Sequence, residues 1–554
     1  MNPAGSGPDD SRKRLILLAC ILGSGIAFLD STVVNVALPA IREDLDAGLS
    51  TQQWVVEAYL LTLGSLLLIG GSLGDIFGRR RIFALGIAAF GLTSLLCAAA
   101  PSGGVLIAAR ALQGIAGALL VPSTMGIIVT TFDESERGKA IGSWTAWTGM
   151  ATVVGPLGGG ALLEVASWRS VFAINLIPAA ATLALILYAM PPDRVDAPRP
   201  RVDIRGALLA AFGLAGPVFA LIEQPNHGWG DPLILGPLVV GLALLVLFAV
   251  VESRERDPMV PLALFARRNF AAGNLATLAV YAGLGIPFFF LVLFLQQVGG
   301  YSPLGAGLAL MPVTVLLFAL SRRFGALADR FGPRRFMAAG PVVAAAGLLL
   351  LLRVDEGADY AGALLPALLV FGLGLAATVA PLTATVLGGV EGEHAGVASG
   401  INNAIARVAG LLSVAAVGVA VAAQFTATLD KRLAGRAVGA EARTYLADAR
   451  TRPLTGGAPA ALPAGDRAAV AGALDDASVD AFRLAVALAA LLVLAGGLIS
   501  LAGVRDPGRP VSAEDCPGGA FCGAPEEVGR RARLAGALTQ LRRPGVAREA
   551  RESP

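Results

Sequence analysis

Two charged residues stand where charge is expensive. Asp30 interrupts an apolar run from Leu15 to Pro39, and Arg110 interrupts another that ends at Thr124. A carboxylate in the middle of a lipid-embedded helix costs several kcal/mol unless it is paired, hydrated or protonated. Desolvation favours its neutral form, so Asp30 either loads and releases a proton or forms a permanent ion pair. Arginine has no such escape, because its pKa exceeds about 12, and Arg110 must therefore find a partner or water. Counted from the same ends of their runs, the two residues lie within about 5 Å in height at 1.5 Å per residue. They are read together as a proton-coupling pair. A stripe of Asn402, Asn403 and Arg407 in an otherwise Ala/Val segment is expected to face a cavity or an opposing half of the molecule, with Asn35, Gln113 and Asn175 as further cavity residues.

These residues are held by a chain of 554 residues, of which 55% are hydrophobic and 15% charged. Its mean hydropathy is +0.70. A soluble domain carries about 25% charged residues. Apolar runs of roughly 20 residues match a hydrocarbon core about 30 Å thick, and only helices satisfy their own backbone there. The sequence therefore predicts an all-α polytopic membrane protein, with the lipid bilayer as its main partner. A net charge of +3 is too small to suggest nucleic acid. No Walker loop, metal-ligand cluster or Ser-His-Asp arrangement is apparent, and His227 and His394, the two histidines, fall in predicted loops. Cys20 and Cys97 fall in spans, and Cys516 and Cys522 in the tail, without metal or redox spacing. The sequence thus gives no support for an enzyme, for ATP-driven transport, or for a cofactor or metal.

Apolar windows place fourteen spans, near 15–39, 55–75, 82–100, 103–124, 139–163, 168–190, 204–222, 233–251, 270–296, 303–320, 336–352, 360–381, 396–424 and 482–503. Lys and Arg crowd the alternate loops that share a side with Arg12, Lys13 and Arg14, whereas the short intervening loops hold only Arg42, Arg169 and Arg353. Cytoplasmic loops retain positive charge, so both termini are expected in the cytoplasm and a long 425–481 loop outside. The expected organisation is a 1–14 tail, a first six-helix half over 15–190, and a 191–252 linker with two inserted spans. A second half over 253–503 and a disordered 504–554 tail complete it.

An internal repeat supports the two halves. Gly71-Ser-Leu-Gly-Asp75-Ile-Phe-Gly78-Arg79-Arg80-Arg81 ends span 2, and Gly325-Ala-Leu-Ala-Asp329-Arg-Phe-Gly332-Pro-Arg334-Arg335 follows span 10. At helix ends such carboxylates can receive helix N-terminal N–H groups and pair with Arg, so both elements are read as conformational latches. Halves related by a repeat place a substrate site between them.

The repeated loop resembles the signature of the major facilitator superfamily, and the 6+2+6 count resembles its fourteen-span drug:proton antiporter branch. Leu29-Asp30 to Pro39 matches the branch's first-helix motif. Leu106 to Ala118, with Arg110, Gln113 and Gly114, resembles its span 4 motif, Ala116 replacing one small residue by another. Gly142, Gly155-Pro156 and Gly159-Gly160 resemble its antiporter signature in span 5, with Ala151 where a second Gly is expected. Trp54 to Tyr59 and Trp168 to Asn175 resemble the openings of spans 2 and 6, although both tryptophans are read as interfacial anchors. Glu57 and Glu223 are read as solvated residues at the outer mouth.

The resemblance implies proton-driven export of amphipathic or cationic organic compounds by a monomer. An exporter of a self-made antibiotic, lipid or peptide would differ only in cargo. A non-transporting receptor or scaffold would need a signalling domain, and the tail offers no periodic core for one.

Overall fold

The computed structural model describes residues 10–193, 203–255, 258, 260–388, 395–436, 438–458 and 462–506. Regular structure among them is helical throughout. Two groups of helices face each other. The first contains α1 (Asp10–Leu45), α2 (Leu49–Phe77), α3 (Arg79–Ala98), α4 (Gly103–Thr131), α5 (Glu134–Val165), α6 (Arg169–Ala173) and α7 (Leu176–Ala189). Next come α8 (Ile204–His227) and α9 (Pro232–Glu252), which pack on each other. The second group contains α10 (Arg268–Gln297), α11 (Pro303–Ala309), α12 (Met311–Phe331), α13 (Pro333–Leu350), α14 (Leu365–Gly388), α15 (Ala395–Leu433), α16 (Ala440–Ala449) and α17 (Ala464–Gly503). Helix α8 lies against both α2 and α15, so the inserted pair sits beside the seam between the groups. Few of α9's residues are buried, as expected of a helix that faces lipid.

Twelve helical segments among the described residues are long and apolar enough to cross a membrane. Helices α2 and α5, of 29 and 32 residues, are not among those twelve but pack within the first group. A count of fourteen includes them. Apolarity alone set the expected boundaries too tightly. Helix α1 starts at Asp10, inside the expected 1–14 tail, and the expected 425–481 loop is helical to Leu433 and again from Ala464. Between these flanks the chain folds into a cap whose Leu446, Leu454 and Leu462 join the apolar core of the bundle, as does Val470 of α17. Burial of those side chains keeps the helices going past their lipid-compatible stretch.

The repeat is written into the backbone. Gly78 alone separates α2 from α3 and has φ of 98°; Gly332 alone separates α12 from α13 and has φ of 89°. In this left-handed region a side chain would be strained. The orphan N–H groups that open α3 and α13 find distant carboxylates. Arg80 N and Arg81 N donate to Asp193, each at 3.0 Å, and Arg334 N donates to Asp506 at 3.0 Å. A Cβ on Gly78 would lie 2.2 Å from Asp193 Oδ2, and one on Gly332 2.6 Å from Asp506. The side chains of Asp75 and Asp329 lie outside the described residues. Arg79 donates to the Gly126 carbonyl at 2.6 Å and Arg334 Nε to that of Leu501 at 2.9 Å, which ties each loop to a neighbouring helix. Gly71 packs on Pro122, and Gly325 meets Ala380 at ordinary van der Waals distance.

Polar contacts between the two groups cluster at the end of the bundle away from the chain termini. Gln296 donates to the Val36 carbonyl at 3.1 Å, Gln53 to that of Val414 at 2.9 Å, and Ser302 to Glu164 at 2.9 Å. Arg42 donates to Gln297 and to Thr455 of the cap, while Arg452 pairs with Asp46. At the terminal end Lys13 pairs with Glu136 at 2.7 Å and Arg268 donates to the Gly503 carbonyl, each within one group.

Helix α5 closes the far end through its glycines. A Cβ on Gly155 would lie 2.2 Å from Thr32 Oγ1, and one on Gly159 2.3 Å from Val33 Cγ2, both on α1. Gly160 turns to the other group, where a Cβ would come within 2.6–2.9 Å of Leu304 Cα and N and Pro303 O. Pro156 meets Gly307 in the same seam. Gly142 has nothing within 4 Å of its Cβ position and takes no part in this close approach.

Three outcomes follow for thermal unfolding of the purified chain in detergent. Gly160→Ala should destabilise the fold by about 1–3 kcal/mol, because backbone atoms cannot yield as a side chain can. Gly142→Ala should be neutral or stabilising, since Ala favours the helix by up to about 1 kcal/mol. Asp193→Ala and Asp506→Ala should each cost about 1 kcal/mol through the lost helix caps. Unchanged midpoints in both cap variants would show that water replaces the carboxylates.

Candidate functional site

The two charges singled out by the sequence meet inside the first group. Arg110 Nη1 donates to Asp30 Oδ2, and the pair is sealed, with side chains 1% and 0% exposed. The carboxylate's other oxygen accepts from Asn175 Nδ2 at 2.8 Å and from Gln113 Nε2 at 3.1 Å. Arg110 spreads its remaining donors over Gln113 Oε1 at 2.7 Å and the Val55 carbonyl at 2.9 Å. Its guanidinium lies 4.3 Å from the centre of the Tyr59 ring, and Tyr59 in turn donates its hydroxyl hydrogen to the Ala27 carbonyl. Ser94 accepts from Gln113 at 2.8 Å and holds that amide in place.

Each element supplies what only its position can supply. Asp30 and Arg110 are buried on facing sides of α1 and α4. Asn175 reaches the carboxylate because span 6 is not continuous: α6 ends at Ala173 and α7 starts at Leu176, so Asn175 sits in the break. Three donors thus converge on the Asp30 side chain, two on Oδ1 and one on Oδ2.

Gln113 and Asn175, expected along a substrate cavity, are both fully buried and used on Asp30. Asn402 is likewise turned inward, donating to Asn274 Oδ1 at 3.1 Å and Thr277 Oγ1 at 2.8 Å within the second group. Asn35, Asn403 and Arg407 do line cavities in the seam, and the Asn35 Oδ1 has no hydrogen-bond partner there. Glu57, expected at a solvated mouth, is 1% exposed with an unpartnered Oε2. Glu223 accepts from Trp54 Nε1 at 2.8 Å, and Trp168 donates to Asp44 at 2.9 Å. Both indoles are therefore fastened to carboxylates instead of standing free at an interface. The residues that sequence reading missed are Ser94, Asp193 and Asp506, whose partners are distant in the chain. Only the polarity of Ser94 within an apolar run gave any signal.

The comparisons with known proteins agree with this architecture. Residues 20–414 match the family model described as Major Facilitator Superfamily. The chain is 40% identical over 415 residues to a puromycin resistance protein of Streptomyces alboniger, covering 74% of this chain and 82% of that one. It is 34% identical over 411 residues to a tetracenomycin C resistance and export protein of Streptomyces glaucescens, covering 74% and 76%. Among solved structures, it shares its fold with a bacterial homologue of the human lysosomal transporter Spinster in an inward-facing, unoccupied conformation. The TM-score there is 0.64 at 16% identity, over 90% of this chain and 100% of the other. A sealed carboxylate–guanidinium pair in one helix group, a repeated glycine-hinged loop and a cavity-lined seam thus sit in a chain that belongs to the major facilitator superfamily.

Proposed function

We propose that this protein exports amphipathic organic compounds across the cytoplasmic membrane in exchange for protons, acting as a monomer with fourteen spans and both termini in the cytoplasm. One observation carries the reading. Helix α1 presents Asp30 to the buried network on one face, and Phe28, Thr32 and Asn35 to the seam cavities on roughly the opposite face. Proton and cargo would thus be read by two sides of one helix. The relatives named for puromycin resistance and for tetracenomycin C resistance and export support the direction of transport and the kind of cargo.

In this scheme the described state, with the groups joined at the far end, faces the cytoplasm and takes up cargo. Arg110 holds Asp30 ionised there. Protonation from the outside would neutralise Asp30 and leave Arg110 with its bonds to Gln113 and the Val55 carbonyl. Loss of that proton to the cytoplasm would restore the pair. The glycine-hinged loops at 71–81 and 325–335 would act as latches that bias which end is open.

Two experiments test the reading. Asp30→Asn alone leaves Arg110 as an unpaired buried charge, which costs about 3–5 kcal/mol. The paired variant Asp30→Asn with Arg110→Gln removes both charges and keeps hydrogen-bonding groups. In inverted vesicles under an imposed pH gradient it should still exchange drug downhill but lose uphill accumulation by at least about tenfold. Parental uphill transport by the double variant would place the proton site elsewhere. For topology, reporter fusions at Pro198 and Gly457 should give opposite signals, the first cytoplasmic and the second external. Identical signals would refute the span count between them.

A further inference from the structure

Two cavities lie along the cargo face of α1, and their chemistry differs. Thr32 and Asn35 line one of about 280 Å³, whose remaining walls include Tyr281, Leu284, Phe288 and Met311 and contain no charged residue among those described. Phe28, one turn earlier on the same face, lines the other, of about 340 Å³, together with Trp144, Asn403 and Arg407. Arg407 is the charged residue of this wall. Its aliphatic stem runs beside Gly64 of α2, where an added Cβ would already touch it at 3.8 Å.

Unlike Arg110, this arginine has no carboxylate. Among the described residues no ion pair or hydrogen bond engages its guanidinium. Its electrostatic neighbour is Tyr59, a neutral phenol whose hydrogen is given to the Ala27 carbonyl. A guanidinium stays charged at any accessible pH, and its attraction for an anion strengthens as a site excludes water. Its fork matches a carboxylate or sulfonate with two parallel N–H donors, and the Asn403 amide lines the same cavity. Phe28 and Trp144 offer ring faces beside it, suited to a flat aromatic system.

We infer that the cargo is an amphipathic aromatic compound bearing an anionic group, with that group held at Arg407 and the apolar body extending into the cavity of Thr32 and Asn35. This rests on the exporter reading and narrows its substrate class. An organic cation meets no negative side chain on either described wall and is repelled by Arg407. The cavity of about 340 Å³ alone reaches the lower end of the range of drug-sized sites.

Binding of 2-naphthoate, 2-naphthamide and 2-naphthyltrimethylammonium to the purified full chain in detergent tests this without requiring transport. Calorimetry should rank them anion first, amide second and cation last. Arg407→Gln should weaken naphthoate about tenfold, or 1.4 kcal/mol, while moving the amide less than twofold. Arg407→Lys should keep part of the anion preference, since it retains the charge without the fork. The inference is overturned if the cation binds as well as the anion, if none of the three binds, or if Arg407→Gln weakens anion and amide alike. Counterflow of naphthoate in proteoliposomes separates the two readings. Arg407-dependent binding without movement would refute the exporter while leaving this site in place.

Discussion

A buried charge in a membrane protein must be answered by protein, because the solvent around it cannot answer. Transferring an ion from water to the interior costs several kcal/mol even after relaxation, and Asp30 and Arg110 both incur that cost. Their mutual attraction recovers it only if the remaining donors and acceptors are also matched. This requirement reaches well beyond the pair. It draws in Gln113 from α4, Ser94 from α3, the Val55 carbonyl and Tyr59 ring from α2, and Asn175 from the break between α6 and α7. The packing of the first group is thus organised around one carboxylate. A displacement of any of these elements changes how well Asp30 is held as an anion.

The second group repeats the backbone devices of the first without repeating its charge. Gly332 and Asp506 reproduce the hinge and cap of Gly78 and Asp193. Where the first group holds an ion pair, the described polar cluster of the second is Asn402 with Asn274 and Thr277, all neutral. Its cation, Arg407, faces the seam instead. The two groups therefore share a hinge but divide the labour. One buries its charged pair among its own helices, and the other presents a charge to the seam.

What could be read from the sequence follows from which constraints are local. The pairing of Asp30 with Arg110 follows from depth along two apolar runs, because each must find a partner and few are available at that height. The close approach of Gly155 and Gly159 follows from small residues one turn apart. The helical angle of a polar side chain was harder, since a span that is apolar on every side does not reveal which face meets protein. Gln113 and Asn175 were thus assigned to a cavity although both are used on Asp30, and Glu57 was placed in solvent although it is sealed. The caps were illegible for another reason. Asp193 and Asp506 lie 113 and 172 residues from the N–H groups they receive, and nothing in their neighbourhood announces that contact.

Helix α1 is the element through which these parts act on one another. Ala27 and Asp30 belong to the buried network, Phe28, Thr32 and Asn35 to the cavities, and Leu29, Thr32 and Val33 to the contact with α5. Helix α5 carries the contact onward, because Gly155 and Gly159 lie on α1 while Pro156 and Gly160 lie against α11 of the other group. Three successive functions thus occupy three faces of one helix and one edge of the next. Packed interfaces of this density do not deform gradually, so any shift of α1 against α5 must be taken up as a repacking of α5. The backbone contact of Gly160 with Leu304 belongs to the same seam. Glycine at 160 is what allows α5 to meet the backbone of α11 at Leu304 with no side chain between them, beside the side-chain hydrogen bonds that join the groups at the same end.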